Sequence, residues 1–335
     1  MERTQPIDFV IPWVSDTDTA WQKEREKYQK AYLKTEGTSD VRFRDWDNLQ
    51  YWFRSVESNA PWVNRIHLIT CGHVPTWLNR EHPKLNIVTH RDYIPEDFLP
   101  TFNSHTIELN LHRIPNLTEN FVYFNDDIFL LRPTHETDFF KNNLPCDTFS
   151  LNCIFFGYDS VGHIHGADIA FINQFIHKSE VSRKNWRKWF HPRNGIKSLI
   201  RTSLLMPWPW FPGFYYQHLA NSYQKKVFNI LWEIAPEVLY NTCLCKFRED
   251  LNVNQWIFKF WQLATGNFYP KNPARGHCFH VKESNLEILC RAIEKKSYQM
   301  ICINDVKKTE NFQCKKELIN KKLEKLFPRK SLYEL

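Results

Sequence analysis

A chain of 335 residues carrying a formal net charge of +7 is long enough to bury a substantial core, as one large domain or two. Its nine cysteines are scattered and odd in number, without a C-x-x-C pair or a Cys/His zinc spacing, which argues against a disulfide framework or zinc module and fits reduced thiols in a cytoplasmic protein. No apolar stretch is long enough to span a bilayer, and Met1-Glu2-Arg3-Thr4-Gln5-Pro6 lacks the character of a signal peptide.

In chain order, Ile7 to Val14 read as a buried strand ending in Ser15, Asp16, Thr17 and Asp18, before a polar helix that begins near Trp21. Leu49, Trp52, Phe53 and Val56 recur at helical spacing between Asp45 and Glu57, and Ala60-Pro61-Trp62 ends that run. Ile66 to Thr70 and Leu85 to Thr89 read as strands, with a short helix between them around Thr76 to Asn79. A helix is predicted from Thr106 to Arg113, placing Glu108 and His112 on one face with Arg113 beside them.

The apolar run Phe121-Val122-Tyr123-Phe124 then breaks into Asn125-Asp126-Asp127. A continuous apolar strand is typical of a buried parallel sheet, and ligands of open α/β sheets bind beyond the carboxyl ends of their strands. Two such carboxylates suit Mg²⁺ or Mn²⁺ holding a phosphate, although a solvated turn or helix cap fits the same residues. Strands alternating with helices predict an α/β fold with a mainly parallel, Rossmann-like sheet, and neither a G-x-G-x-x-G turn nor a P-loop is present to cradle a nucleotide.

After Cys146 the pattern changes. Cys153 to Phe171 reads as strand and loop, Gln217 to Ile234 as a helix, Asn252 to Leu263 as a second, aromatic-rich helix, and Glu310 to Leu326 as a lysine-rich C-terminal helix. The whole is expected to be a single catalytic unit over 1–335. Its Rossmann-like core spans 1–175 and 235–310, a basic, aromatic-rich helical insertion spans 176–234, and the C-terminal helix lies in 311–335.

Between Glu180 and Glu233 there is no acidic residue, while Arg183, Lys184, Arg187, Lys188, Lys225 and Lys226 are interleaved with aromatics. That mixture suits an anionic membrane surface, a polyanionic glycan or nucleic acid, with a solvated helix face as the plain alternative; of these, membrane or glycan is favoured and no nucleic-acid partner is expected. His218 sits on an aromatic wall after Phe214-Tyr215-Tyr216-Gln217, Arg248 offers a fork of donors for phosphate oxygens, and Asn304-Asp305 repeats the theme of an apolar strand followed by Asn-Asp. Each signal has an ordinary structural explanation: a satisfied core histidine, a surface ion pair with Glu249 or Asp250, a loop cap.

Together these blocks are recognisable. Ile7 to Val14, Arg42-Phe43-Arg44-Asp45, Ala60-Pro61-Trp62-Val63, Val74 to Leu78, Leu99-Pro100-Thr101-Phe102-Asn103-Ser104, Leu111-His112-Arg113-Ile114 and Phe124 to Asp127 follow in order, with His218, Phe247-Arg248 and Cys302 to Asp305 behind them. This resembles the Stealth family of bacterial capsular polysaccharide phosphotransferases, related to the catalytic subunit of N-acetylglucosamine-1-phosphotransferase. The resemblance implies an A-type glycosyltransferase-like core that moves a sugar 1-phosphate from a nucleotide sugar of the UDP-GlcNAc type to a sugar hydroxyl of a glycan or lipid-linked glycan, forming a phosphodiester with Mg²⁺ or Mn²⁺.

By position it implies Asp127, His218 and Arg248 as catalytic residues and Asp126, Asp127 and Asp305 as metal ligands. Substrate contacts would come from Trp13, Asp18, Arg42, Asp45, Asn103, Ser104, Glu108, His112 and Arg113. The chain departs from the family where Val14-Ser15-Asp16-Thr17-Asp18 replaces a glycine-containing turn and where Asn48-Leu49-Gln50-Tyr51 replaces Glu-Leu-Arg-Tyr. Set against this reading are an ordinary A-type glycosyltransferase that releases nucleoside diphosphate and a glycan-binding protein without activity. A cytoplasmic enzyme, peripheral at the inner face of the membrane through residues 183–226, is the localisation these features suggest.

Overall fold

The computed structural model describes residues 5–15, 17–30, 43–157, 162–306 and 311–335; Asp16, Arg42 and the predicted helix start at Glu310 lie outside the described residues. Its strands are β1 (Ile7–Pro12), β2 (Ile66–Thr70), β3 (Leu85–Thr89), β4 (Asn120–Tyr123), β5 (Ile128–Leu130), β6 (Phe140–Lys141), β7 (Leu144–Asp147), β8 (Asn221–Gln224), β9 (Tyr269–Pro270), β10 (Gly276–His280) and β11 (Met300–Asn304). The largest sheet has the order β3-β2-β1-β4-β8, parallel from β3 to β4 and closed by antiparallel β8. The fold is therefore α/β with a mainly parallel central sheet, as the alternation of strands and helices predicts.

Both faces of that sheet are covered. Along β1, Phe9 and Ile11 join one apolar cluster while Val10 joins the other; along β4, Phe121 and Tyr123 alternate with Val122 and Phe124 in the same way. Continuous apolar sequence is what a strand needs when both of its sides are dry. One cover is the Leu49–Asn59 helix, whose Trp52, Phe53 and Val56 are fully buried and whose Trp52 ring meets Phe124 edge-on at 5.6 Å. Removing a fully buried Trp side chain costs about 3–5 kcal/mol, so Trp52→Ala would be among the most disruptive single changes on this face.

The chain leaves the first sheet after Phe124, turns through Asn125–Asp127 and enters a second sheet as β5, antiparallel to β11, which is itself parallel to β10. The Ile303 N–H donates to the Asp127 carbonyl at 2.8 Å and ties the turn to β11. The pairing of β4 with β8 sets Tyr123 opposite Asn221, and beyond the end of that ladder His218 reaches the Asn125 side chain at 2.9 Å. Two distant pieces of sequence are thus delivered to one turn.

Several predicted elements differ in the structure. The Thr106–Arg113 helix is a Ser104–Leu109 α-helix broken at Asn110 and followed by a 3₁₀ turn, Leu111–Arg113, so Glu108 and His112 do not share a face. Thr76 to Asn79 is a turn in which Leu78 bridges to Glu334, not a helix. Gly162–Phe175 is helical where strand and loop were expected over Cys153 to Phe171, and its buried His165, Asp168, Ile169 and Ile172 recur at helical spacing on one face. The expected insertion at 176–234 contributes β8 to the central sheet, a strand hidden in polar sequence. Gln224 supplies the reason: its side-chain amide donates to Asn120 and to the Asn143 carbonyl, so the buried polar strand is satisfied by its neighbours.

A buried polar chain locks the other end of the sheet. Fully buried Asp8 on β1 accepts from Asn64 (2.7 Å) and from the Thr118 N–H (2.9 Å), and lies 3.0 Å from His67 Nε2 on β2, whose Nδ1 meets Asn86 on β3 at 3.0 Å. Burial alone would raise the Asp8 pKa, but the bonds from His67, Asn64 and Thr118 outweigh it and hold the carboxyl below its usual range. Its contribution is present above the unfolded carboxylate pKa and is lost as pH falls through the folded value. Asp8→Ala should cost about 3 kcal/mol in urea denaturation at pH 7, since it leaves buried donors unpaired, and the deficit should shrink below about pH 4.

Candidate active site at the crossing of two sheets

The Asn125–Asp127 turn gathers the chemistry. The His218 Nε2 lies 2.9 Å from the Asn125 side-chain nitrogen and 3.8 Å from Asp127 Oδ2, and Cys302 of β11 donates its thiol to the same Oδ2 at 3.2 Å. Ligand-capable atoms of Asp127, His218 and Cys302 all fall within 4.8 Å of one another. The other carboxylate oxygen, Asp127 Oδ1, is buried and has no hydrogen-bond partner. A buried, unpaired carboxylate oxygen is costly to keep and is a natural position for a cation.

Electrostatics favour a cation here as well. Burial, then the neighbouring charges of Asp127 and Asp45, push the Asp126 pKa up to about 8. Burial likewise pushes the Cys302 thiol well above its ordinary value, so it stays protonated and acts as a donor to Asp127 instead of as a thiolate ligand. With the thiol neutral, what the cluster offers a cation is a carboxylate and an imidazole and not a thiolate.

A second cluster lies behind the first. Arg248, half-buried, donates to Ser104 Oγ at 2.5 Å and interacts electrostatically with buried Glu108; burial lowers the guanidinium pKa and Glu108 offsets it. Glu108 accepts from Tyr123 Oη and the Gln255 N–H, both at 3.4 Å. The surface ion pair of Arg248 with its sequence neighbours is not what forms.

The remaining predicted residues divide clearly. Asp45 and Asp126 sense each other's charge, so Asp45 faces the acidic turn. Trp13, at the end of β1, keeps a buried, unpartnered Nε1 and stacks edge-on against His73 at 5.2 Å. Asp18 caps the following helix through Trp21 N–H and lies 3.5 Å from His73.

Others are held by the fold itself. Asn103 is fully buried, caps the Ser104–Leu109 helix and donates to the Cys245 carbonyl and Asn252. His112 lies against Phe228 and Trp232, and Arg113 covers the Trp232 ring, a packed wall away from the turn. The oxygens of Asp305 accept from its neighbour Val306 and from Arg44 at 3.1 Å, and among the described residues it is outside the Asp127 cluster.

Sequence reasoning missed Cys302, because a lone Cys in an apolar strand reads as core. It also missed His280, paired to Asn304 at 2.8 Å and close enough to feel the charges of His218 and Asp127, and the buried contacts Tyr216 to His165 (2.5 Å) and His165 to Asp168 (3.6 Å). A cavity of about 100 Å³ opens beside the segment that carries His218, lined in part by Gln217, Lys259, Lys271 and Arg275. Lys259 already pairs with Asp147 and Arg275 with Asp138, so these cations are answered within the protein.

Comparison with known proteins places this geometry. The family model for Stealth protein CR2, conserved region 2, matches residues 42–147. A capsular polysaccharide phosphotransferase, WcwK, of Streptococcus pneumoniae is 38% identical over 100% of this chain and 99% of its own. The chain belongs to the Stealth family. A receptor polysaccharide phosphotransferase, WefC, of Streptococcus oralis is 34% identical over 98% of this chain and 99% of its own, and an exopolysaccharide phosphotransferase, cps2G, of Lactiplantibacillus plantarum is 36% identical over 89% and 87%.

An active-site mutant of LgtC aligns over 94% of this chain and 95% of its own with 12% identity and a TM-score of 0.36, too low to inform the fold. As a Stealth protein the chain is a transferase enzyme. The matched region holds Asp45, Glu108 and Asp127. His218, Arg248 and Cys302 lie beyond it and are joined to it only by the fold.

Burial raises Glu108 to about 7, with Arg248 working in the opposite direction. Between the ordinary carboxylate value and 7 the folded protein therefore holds a proton that the unfolded chain has released, and stability falls as pH rises through that window. Relative to Glu108→Gln, the wild type should lose on the order of 2 kcal/mol between pH 5 and pH 8, read as urea midpoints at each pH.

Proposed function

We propose that this Stealth enzyme transfers a sugar 1-phosphate from a nucleotide sugar to a hydroxyl of a growing capsule-type polysaccharide, forming a phosphodiester and releasing a nucleoside monophosphate. The observation that carries the reading is the His218 imidazole facing Asp127 at 3.8 Å while the second Asp127 oxygen stands buried and unpaired. Phosphoryl transfer depends chiefly on positioning and on neutralising charge over the phosphate oxygens, which is what an imidazole and an acidic pair at one turn, with a guanidinium in the cluster behind it, would supply. The relatives, named as phosphotransferases of capsular, receptor and exopolysaccharides, support phosphotransfer in capsule synthesis.

Asp127 with Asp126 would hold Mg²⁺ or Mn²⁺, which supplies charge neutralisation on the donor diphosphate and its leaving group. Asp305 is not assigned to the ion, because its oxygens serve Arg44 and Val306. With the Asn125 amide donating to it, His218 Nε2 is the proton-free nitrogen and takes the proton of the acceptor hydroxyl. The freed oxygen attacks the phosphorus that carries the sugar. The bond from that phosphorus to the bridging oxygen breaks, and the nucleoside monophosphate leaves with that oxygen. Arg248, aimed by Ser104 and Glu108, neutralises the transferred phosphate, a task for which a fixed fork of donors is better suited than a lysine.

His218→Ala should lower kcat by about 10²–10⁴-fold with the donor KM little changed, and Arg248→Lys should retain charge yet lose most of the rate. Incubating the wild type with a panel of nucleotide sugars, a divalent cation and acceptor oligosaccharide identifies the nucleotide set free. A monophosphate is expected; a diphosphate would make the protein an ordinary A-type glycosyltransferase. Capsule production that survives Asp127→Asn and His218→Ala in cells would leave only glycan binding.

A further inference from the structure

Not all of the basic stretch from Arg183 to Lys226 faces solvent. Lys188 is turned inward to the Gly266 carbonyl at 2.6 Å, and the backbone N–H groups of Lys225 and Lys226 are tied to Glu119. What the structure exposes instead is a helix mounted the wrong way round for a soluble protein. In the Ile196–Leu205 helix, Ser198 and Thr202 are buried, Thr202 accepting from the Leu151 N–H at 3.2 Å, while Ile196, Ile200 and Leu204 are 74%, 55% and 74% exposed. The spacing of i, i+4 and i+8 puts these three in a single outward stripe.

The stripe continues into Trp208 and Trp210, 62% and 50% exposed, on a proline-rich loop that is clamped at both ends. Buried Lys178 donates from its Nζ to the carbonyls of Leu205, Met206 and Trp208 at 2.9, 3.0 and 2.6 Å. Asn173 makes a two-way bond with the Phe211 backbone, at 3.0 and 2.9 Å. Burying an ammonium to cap these carbonyls is a built arrangement, and it presents the two indoles outward. Exposed Lys197 and Arg201 flank the stripe, and the interval from Glu180 to Glu233 carries no acid.

We infer that this face docks on an anionic lipid bilayer, with the Ile196–Leu205 helix lying in the interface plane and Trp208 and Trp210 at headgroup depth. An apolar stripe with tryptophans and a basic rim is the chemistry that partitions to such an interface, and the charge is complementary to anionic lipid. Arg201 also covers the Tyr215 ring at 4.9 Å, three residues before His218, so the docking helix adjoins the segment that carries the imidazole. The inference extends the proposed function by bringing the site to the surface at which a lipid-linked acceptor would be found.

Flotation of the full chain with phosphatidylglycerol/phosphatidylcholine vesicles tests it. The wild type should float with the anionic vesicles, less so with pure phosphatidylcholine and less at high salt. Ile200→Asp with Leu204→Asp should lower partitioning at least about tenfold, and Lys197→Glu severalfold on anionic vesicles. Both variants replace exposed residues and should keep the wild-type melting transition and turnover on a short soluble acceptor. Flotation that is absent, or unchanged by the double variant, overturns the inference. So does a wild-type dimer in sedimentation that the double variant dissolves without any vesicle binding, or binding to soluble polysaccharide in place of vesicles. None of these results alters the nucleotide released, so the docking surface and the chemistry fail separately.

Discussion

The site depends on one backbone hydrogen bond, from the Ile303 N–H to the Asp127 carbonyl at 2.8 Å. It fixes a three-residue turn between a strand of the central sheet and a strand of the smaller one. Because β4 is held by parallel β1 on one side and antiparallel β8 on the other, the turn begins from a rigid platform. Because β5 is held by β11, it also ends on one. A loop free at either end could not keep a carboxylate oxygen buried without a partner, as Asp127 Oδ1 is kept.

That rigidity carries a cost. Asp45, Asp126 and Asp127 are like charges gathered in partial burial, and the proton retained by Asp126 relieves part of the repulsion. The thiol of Cys302 relieves another part by donating to Asp127. Behind them, Glu108 accepts from Tyr123 and Gln255 while Arg248 donates to Ser104 and feels the Glu108 charge. The acidic cluster and the buried guanidinium are complementary in purpose: one favours a cation, and the other presents a positive fork that no neighbouring carboxylate in sequence consumes.

Much of the frame was legible in the sequence. The strands β2 and β3 and the Leu49–Asn59 helix follow from apolar runs and helical spacing bounded by turn residues. The strand β8 was not, since Asn221-Ser222-Tyr223-Gln224 carries no apolar signal and is stabilised by side-chain bonds to Asn120, Asn143 and Gln262 that only the tertiary structure supplies. His218 could be named from its surroundings, but its place beside Asn125 and Asp127 follows from the pairing of that polar strand with β4. Glu108 and His112 show the opposite error. Helical spacing put them together, and the break at Asn110 sends one to the site and the other into an aromatic wall.

The central claim is that the Asn125–Asp127 turn, with His218 beside it, is where a divalent cation and the donor diphosphate meet. A Mn²⁺ titration followed by electron paramagnetic resonance, in the presence of the nucleotide sugar that the enzyme turns over, tests this most directly. The account predicts one tightly held ion in the wild type that Asp127→Asn abolishes and that Asp305→Asn leaves largely in place. An Asp127→Asn protein that binds Mn²⁺ as the wild type does would contradict it.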